Sequence, residues 1–302
     1  MAKGFTDRDV PDQTGRTFLV TGANTGIGYE AARVLAAHGG RVLFGCRDET
    51  RARAAMTAIA GETPDADLDF VALDQADLAS VRAAAERVAA EPRLDVLVNN
   101  AGIMHVPKGQ TRDGFERHFG VNHLGTFALT ALLLEKLAEQ PDSRVVTTSS
   151  VAHLFSRMDF DDLNAERRYQ RDARYGQSKL ANLLFVFELD RRLRAASSPT
   201  ISVGCHPGIA ATELTRHFGG WYRPFAPLVS RVFNDQAEGA WPTLMAATAP
   251  DLKGGDYVGP TRRFETAGPA GPAFANSISQ DPETGRRLWE VSIEMTGVDP
   301  GI

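Results

Sequence analysis

Tyr175 and Lys179 are the two residues whose types and spacing most directly suggest proton chemistry. They are four positions apart, which puts their side chains on one face of a helix. A phenol ordinarily loses its proton at about pH 10, and a cation within ~4–6 Å favours the phenolate. The pair is therefore suited to exchange a proton with a substrate oxygen near neutral pH. The alternative is an exposed tyrosine that packs beside a lysine stem.

A glycine-rich turn stands far upstream of this pair. The segment Thr21-Gly22-Ala23-Asn24-Thr25-Gly26-Ile27-Gly28 follows a short apolar run and opens an apolar helical pattern. Glycines allow close approach to a pyrophosphate, and the amide groups of a new helix bind its negative charge. This order is typical of a dinucleotide-binding turn, although a turn without ligand is the alternative. The predicted contacts are Gly22, Asn24, Thr25, Gly26, Ile27 and Gly28.

The end of the second predicted strand distinguishes between two dinucleotides. A carboxylate there binds the ribose of NAD(H), whereas an arginine accommodates the 2′-phosphate of NADP(H). The strand ends in Phe44-Gly45-Cys46-Arg47 and contains no carboxylate. Because a guanidinium can form paired contacts with phosphate oxygens, NADP(H) is favoured over NAD(H). Alternatively, Arg47 is a solvated residue near a helix start that pairs with Asp48.

Small polar residues follow two further predicted strands. Ser149 and Ser150 end the fifth strand, and Asn99-Asn100-Ala101-Gly102 ends the fourth. Ligands bind at the carboxyl edge of such sheets, so a serine hydroxyl there can bind a substrate oxygen. Asn122 lies near the start of the next long helix.

The elements that must position these residues alternate regularly. The sequence predicts strands at 17–20, 42–46, 68–73, 94–98, 144–148, 201–205 and 257–258, and helices at 27–38, 49–60, 78–90, 123–139 and 175–193. Strands joined by long helices form parallel sheets with helices on both faces. We therefore predict one α/β domain over 1–302, a doubly wound parallel sheet of seven strands with an N-terminal extension at 1–14.

Composition restricts the possible partners and compartments. The 302 residues are 43% hydrophobic and 24% charged, as in ordinary globular proteins, and the net charge of −5 offers no basic excess for nucleic acid. The two cysteines, Cys46 and Cys205, cannot form a disulfide framework and fit a reducing compartment, so a cytoplasmic location is expected. The N-terminus has no apolar signal region, and no stretch approaches the ~18 apolar residues of a membrane span.

The histidines do not predict a metal site. His118 and His123 are five positions apart, His153 follows the serine pair, and His206 precedes Pro207, without any zinc-ligand spacing. We expect no catalytic metal. His153 or His206 could line the pocket, but a structural role is the simpler interpretation of each.

An aromatic-rich segment at 209–235 follows Pro207-Gly208. It contains glycines and prolines that interrupt helical regularity, and it is suited to cover the nicotinamide as an apolar lid. Such a lid predicts an apolar carbonyl or alcohol substrate. Packing on the protein's own surface, a subunit contact and a membrane-surface patch are the alternatives.

Together, the glycine turn, the Asn-Asn-Ala-Gly segment, Ser150, Tyr175 and Lys179 resemble the short-chain dehydrogenase/reductase family over nearly the whole chain. Retinol-dehydrogenase-like members are most similar, because of Cys46-Arg47-Asp48, the Ser-Lys-Leu-Ala-Asn run at 178–182 and the Gly-Gly-Asp-Tyr-Val-Gly-Pro run at 254–260. The resemblance implies a Rossmann-type fold, use of NADP(H), and a homodimer or homotetramer.

The resemblance also implies a role for each site residue. Tyr175 would be the general acid/base, and Lys179 would also bind the nicotinamide ribose. Ser150 would orient the substrate oxygen, and Asn122 would anchor a water of the proton relay. The implied cofactor contacts include Asp74 at the adenine, Gln75, Asn99 near the ribose, Ala101, Gly102, and Pro207, Gly208 and Thr212 on the nicotinamide side.

These observations predict an NADP(H)-dependent oxidoreductase. It would transfer hydride between nicotinamide and the carbon of a hydrophobic aldehyde, ketone or alcohol, as a carbonyl reductase does. One alternative keeps the site but reduces an activated carbon-carbon double bond. Another is a protein that binds NADP(H) as a sensor without turnover, whose expected sign would be a lost tyrosine or lysine.

Overall fold

One sheet organises the part of the chain that this computed structural model describes, residues 4–208 and 234–302. Within those residues the strand order is β3-β2-β1-β4-β5-β6-β7-β8, and β1 to β7 run parallel. The strands are β1 Thr17–Thr21, β2 Arg41–Cys46, β3 Leu68–Ala72, β4 Val96–Asn99, β5 Arg144–Thr148, β6 Ile201–Cys205, β7 Tyr257–Arg262 and β8 Ala267–Pro272. The predicted α/β fold and its parallel sheet are confirmed.

The strand count differs from the prediction by one. β8 is an additional edge strand that pairs antiparallel to β7. Its sequence, Ala-Gly-Pro-Ala-Gly-Pro, lacks the β-branched and aromatic residues that signal a strand. Its outer edge is partly covered, because Phe5 of the N-terminal extension forms a bridge to Ala270.

Helices cover both faces of this sheet. They are α1 Gly26–Ala37, α2 Glu49–Glu62, α3 Leu78–Ala89, α4 Arg117–Phe119, α5 Gly125–Ala138, α6 Arg171–Ala195, α7 Gln236–Thr248 and α8 Pro282–Thr296. Strand side chains alternate between the faces: Phe18 packs in the core formed with α1, α2 and α7, whereas Leu19 packs in the core formed with α3, α5, α6 and α8. Among the described helices, none is long and apolar enough to cross a membrane.

The connections create a crevice between β1 and β4. The chain runs outward from β1 through β2 to β3 and then returns to the other side of β1, so the strand order reverses there. The two strand ends are joined directly: Thr21 Oγ1 accepts hydrogen bonds from the backbone N–H groups of Asn100 (3.0 Å) and Ala101 (2.9 Å). The glycine turn and the Asn-Asn-Ala-Gly segment therefore lie side by side.

Candidate active site

The glycine turn forms the floor of the crevice, and its backbone requires glycine. Gly22 and Gly26 have φ angles of +68° and +61°, in the left-handed region that favours glycine. At Gly28, an added Cβ would lie 2.5 Å from both Asn100 Nδ2 and the carbonyl oxygen of Gly22. Asn100 Nδ2 in turn donates to the Thr21 carbonyl (2.9 Å). The turn is therefore held in a shape that leaves its backbone open to a ligand.

A cleft of about 580 Å³ lies along this turn. Eleven of the predicted cofactor residues line it: Gly22, Asn24, Thr25, Gly26, Ile27, Gly28, Arg47, Asp74, Gln75, Ala101 and Gly102. The buried Cys46 also lines it, and burial raises the pKa of this thiol to about 11, so it remains neutral. The cleft combines a glycine-rich turn with a cationic rim, as a dinucleotide requires.

The cationic rim holds two arginines. Arg47 is exposed and forms no ion pair with any residue of the described ranges. Asp48, considered above as its partner, instead caps α2 by accepting the N–H of Arg51 (3.0 Å) and pairs with the Arg51 side chain (3.4 Å). Arg51, in the first turn of α2, also lines the cleft. Sequence analysis missed it, although its position four residues after Arg47 was a usable signal.

The side chain of Asn99 does not lie where it was expected, near the ribose of a bound cofactor. Its side chain is buried, and its Nδ2 donates to Thr130 Oγ1 of α5 (2.9 Å), so it does not line the cleft. Side chains alternate across a sheet, and Asn99, the last residue of β4, faces α5. The next residue, Asn100, reaches the cleft instead.

The predicted nicotinamide side is described only in part. Pro207 and Gly208 follow β6 at the same sheet edge, where Gly208 has φ +79° and its N–H donates to His206 Nδ1 (3.2 Å). Thr212 lies outside the described residues, as does the predicted lid except for 234–235. Those two residues serve neighbouring elements: Asn234 binds the backbone of Gly268, and Asp235 caps α7.

Tyr175 and Lys179 lie together on α6, as their spacing requires. Lys179 Nζ is 5.9 Å from the centroid of the Tyr175 ring and donates to the carbonyl of Thr148 (3.1 Å). A Cβ added at Gly102, a residue of the cleft wall, would lie 3.4 Å from the same Nζ. The ammonium group of Lys179 thus lies near both the phenol ring and the wall of the cofactor cleft.

Asn122 joins this helix to the cleft wall. It lies in a single π-helical turn, Gly120–Leu124, between α4 and α5, an irregularity that is frequent at functional sites. Its Oδ1 accepts from the N–H of Ile103 (2.8 Å), and its Nδ2 donates to the Ile103 carbonyl (3.0 Å) and to Ser178 Oγ (2.9 Å). Ser178 Oγ donates to the Tyr175 carbonyl (2.7 Å). The Asn122 side chain therefore fixes the cleft wall at Ile103 relative to Tyr175.

The two neighbouring serines have different environments. Ser149 is buried, and its Oγ donates to the backbone carbonyl of Lys179 (2.8 Å). Ser150 is half-buried and caps the short helical turn Val151–Phe155 by accepting the N–H of Ala152 (3.2 Å). At Gly176, beside Tyr175, an added Cβ would lie 3.2 Å from the Ala152 carbonyl, so the turn that carries Ser150 packs against the tyrosine helix.

Two histidines flank the Tyr175 ring, and sequence analysis assigned them no part in the site. The His105 ring stacks on it (centroids 5.9 Å apart), and the buried His118 ring meets it edge-on (6.3 Å). His118 Nδ1 lies 3.0 Å from Glu116 Oε1. Burial alone would raise the pKa of the Glu116 carboxyl, but hydrogen bonds from His118 and Phe119 lower it below its ordinary value.

Potential metal ligands are not grouped within the part of the chain that the structure describes. No group of three or more His, Cys, Asp or Glu side chains there could hold a metal ion.

Comparison with known proteins assigns the class. Residues 16–222 match the family model for short chain dehydrogenases, so the chain belongs to that family. It is 42% identical to retinol dehydrogenase 12 of Mus musculus over 290 residues, covering 94% of this chain and 87% of the relative. Polyprenol dehydrogenase of Mus musculus is 42% identical over 300 residues, covering 97% and 87% of the two chains.

A crystal structure of an uncharacterised protein from Mycobacterium paratuberculosis has the same fold. Its TM-score is 0.82 at 39% identity, with 99% of this chain and 100% of that chain covered. The protein is thus an oxidoreductase of the short-chain dehydrogenase/reductase class, which binds a nicotinamide cofactor. Within that class it is retinol-dehydrogenase-like, as the resemblance of its motifs indicated.

Proposed function

We propose that this protein is an NADP(H)-dependent oxidoreductase that interconverts a hydrophobic aldehyde or ketone and its alcohol, with Tyr175 as the general acid/base. The observation that carries the proposal is the position of Lys179 Nζ, which lies near both the Tyr175 ring and the wall of the cofactor cleft at Gly102. A cation in that position favours the phenolate and can also contact a bound ribose. The side chain of Lys179 would therefore take part in both proton transfer and cofactor binding.

Preference for NADP(H) rests on the rim of the cleft. Arg47 is exposed there without an ion-pair partner among the described residues, and Arg51 stands beside the same space. A 2′-phosphate would form paired, oppositely charged hydrogen bonds with such guanidinium groups, whereas a ribose hydroxyl carries no charge to pair with them. The glycine turn would hold the pyrophosphate, and Ala101 and Gly102 would line the path toward nicotinamide.

The bound nicotinamide would supply and accept hydride. Tyr175 donates a proton to the substrate oxygen during reduction and removes it during oxidation. Ser150 holds that oxygen through its hydroxyl, and Lys179 stabilises the phenolate that forms. Asn122 holds the cleft wall at Ile103 against the tyrosine helix, α6, through three hydrogen bonds.

Two relatives, retinol dehydrogenase 12 and polyprenol dehydrogenase, support an apolar substrate, because retinol and polyprenols are long apolar alcohols. We also propose a cytoplasmic location, which two free, buried cysteines support. A homodimer or homotetramer is proposed from family membership alone.

Steady-state kinetics with a panel of apolar aldehydes and ketones tests the proposal. NADPH oxidation by the wild type should exceed that by Tyr175→Phe by about 10²–10⁴-fold in kcat, because the phenylalanine has no proton to give. NADPH should still bind the variant. Tyr29→Phe is the matched control, since Tyr29 lies on α1 outside the cleft lining. Equal activity of the wild type and Tyr175→Phe would refute the role of Tyr175.

A further inference from the structure

A second cavity, of about 910 Å³, opens beside Tyr175. It lies between the loop at 105–108 and the start of α6, and it shares no lining residue with the cofactor cleft. His105 connects it to the reacting group, because its ring lines the cavity and stacks on Tyr175 with an angle of 29° between the planes. The cavity therefore lies one side chain away from Tyr175.

The cavity lining is polar, in contrast with the apolar substrate expected above. Of its eight described lining residues, only Pro107 and Ala173 have purely aliphatic side chains. The other six offer hydrogen-bonding or charged groups, and both Lys108 and Arg171 are among them. A wholly apolar substrate would make no use of these groups, whereas a polar end of the substrate could bind them.

The charges of the lining are unbalanced. The one carboxylate, Asp172, is engaged by His105, whose Nδ1 lies 2.8 Å from Asp172 Oδ1. Lys108 and Arg171 are exposed and form no ion pair with any residue of 4–208 or 234–302. Arg174, one turn further along α6, is by contrast paired with Asp162 at 2.6 Å. Positive charge is thus left over at this cavity in a chain whose net charge is −5.

We infer that this cavity is the subsite for an anionic group, a carboxylate or a phosphate, carried by the carbonyl substrate. The inference rests on the proposed function, because it takes the reacting carbonyl to lie at Tyr175. The substrate class is then an amphipathic aldehyde or ketone with an apolar body and an anionic end. In the reduction, the carbonyl carbon gains hydride from NADPH, the oxygen gains a proton from Tyr175, and solvent restores that proton.

Matched pairs of substrates test the inference. A short, a medium and a long ω-oxo acid are each compared with their methyl ester, which keeps the aldehyde and the chain but removes the charge. The wild type should favour the acid in kcat/KM by about tenfold or more at one chain length, mainly through KM, and added salt should reduce the preference. A phosphate-terminated analogue of that length then shows which anion is preferred.

The double variant Lys108→Gln/Arg171→Gln should lose the acid preference while its kcat/KM for the ester stays unchanged. Arg286→Gln is the control, because Arg286 is an exposed arginine on α8 that pairs with Glu290, away from this cavity. Equal use of acid and ester by the wild type, with Tyr175-dependent turnover of both, overturns the subsite and leaves the proposed function intact. Retention of the acid preference by the double variant also overturns it. Failure to turn over any carbonyl compound overturns both proposals.

Discussion

The cofactor end and the catalytic end of this site are built by opposite means. At the cofactor end, shape comes from missing side chains, since Gly28 has no room for a Cβ beside Asn100. At the catalytic end, shape comes from buried polar side chains, since Lys179, Asn122 and Ser178 are each at most 5% exposed and hydrogen-bonded.

Because of this difference, substitutions at one end should change cofactor binding, and substitutions at the other should change the rate of the reaction. In the proposed function the glycine turn and the exposed arginines would contact the nucleotide and not the substrate, so changes there should alter affinity and cofactor choice. In the proposed mechanism the buried groups of α6 and the π turn would position Tyr175 and stabilise its phenolate, so changes there should alter the chemical step.

Removal of the buried ammonium group should have the largest effect on rate. Lys179→Met should lower kcat by about 10²–10⁴-fold at saturating NADPH, because the phenolate of Tyr175 loses its stabilising cation. Lys179→Arg, which keeps the charge, should recover part of the activity. A kcat for Lys179→Met within a factor of about three of the wild type would remove Lys179 from the mechanism.

Gly28→Ala should act on binding. The added Cβ would meet Asn100 Nδ2 and the Gly22 carbonyl at 2.5 Å, which forces the turn to move. We expect the Kd for NADPH, measured by fluorescence titration, to rise by about 100-fold through lost backbone contacts to the pyrophosphate. Gly61→Ala is the matched control, because a Cβ there meets open space within α2. It should leave the Kd unchanged and stabilise the helix by about 0.5–1 kcal/mol.

Arg47→Gln should change cofactor choice rather than rate. The ratio of kcat/KM for NADPH to that for NADH should fall by about 10–100-fold, which corresponds to one charge-assisted hydrogen bond. Activity with NADH should stay close to that of the wild type. An unchanged ratio would contradict the role of Arg47 and would mean that Arg51 or another group binds the 2′-phosphate.

Folding stability should be more sensitive to acid through the catalytic end of the site than through the cofactor end. His123, next to Asn122 in the π turn, is buried, and burial lowers its pKa to about 3. The unfolded chain takes up this proton at about pH 6.5, so folding stability should fall by about 1.4 kcal/mol per pH unit below that value. His123→Gln should show a shallower loss of stability between pH 6.5 and 5 in urea unfolding, and an identical slope for both proteins would contradict the assignment.

Local patterns in the sequence predict the parallel sheet, the glycine turn and the pairing of Tyr175 with Lys179, because each depends on residues close in the chain. Three features escape such patterns. β8 has no strand composition, and the π turn at Gly120–Leu124 has no known sequence signal in this chain. His105 and His118 reach Tyr175 only because the segment between β4 and α5 folds onto α6. Tertiary contacts of this kind do not follow from periodicity.

Isotope transfer tests the central claim most directly. The protein is incubated with NADPH that carries deuterium at both C4 positions and with an α,β-unsaturated aldehyde that has an anionic end, and the product is analysed by mass spectrometry. The account predicts one deuterium on the carbinol carbon of an unsaturated alcohol, and loss of this product in Tyr175→Phe. Deuterium on the β-carbon would instead identify a reductase of double bonds, and tight NADPH binding without any transfer would contradict catalysis altogether.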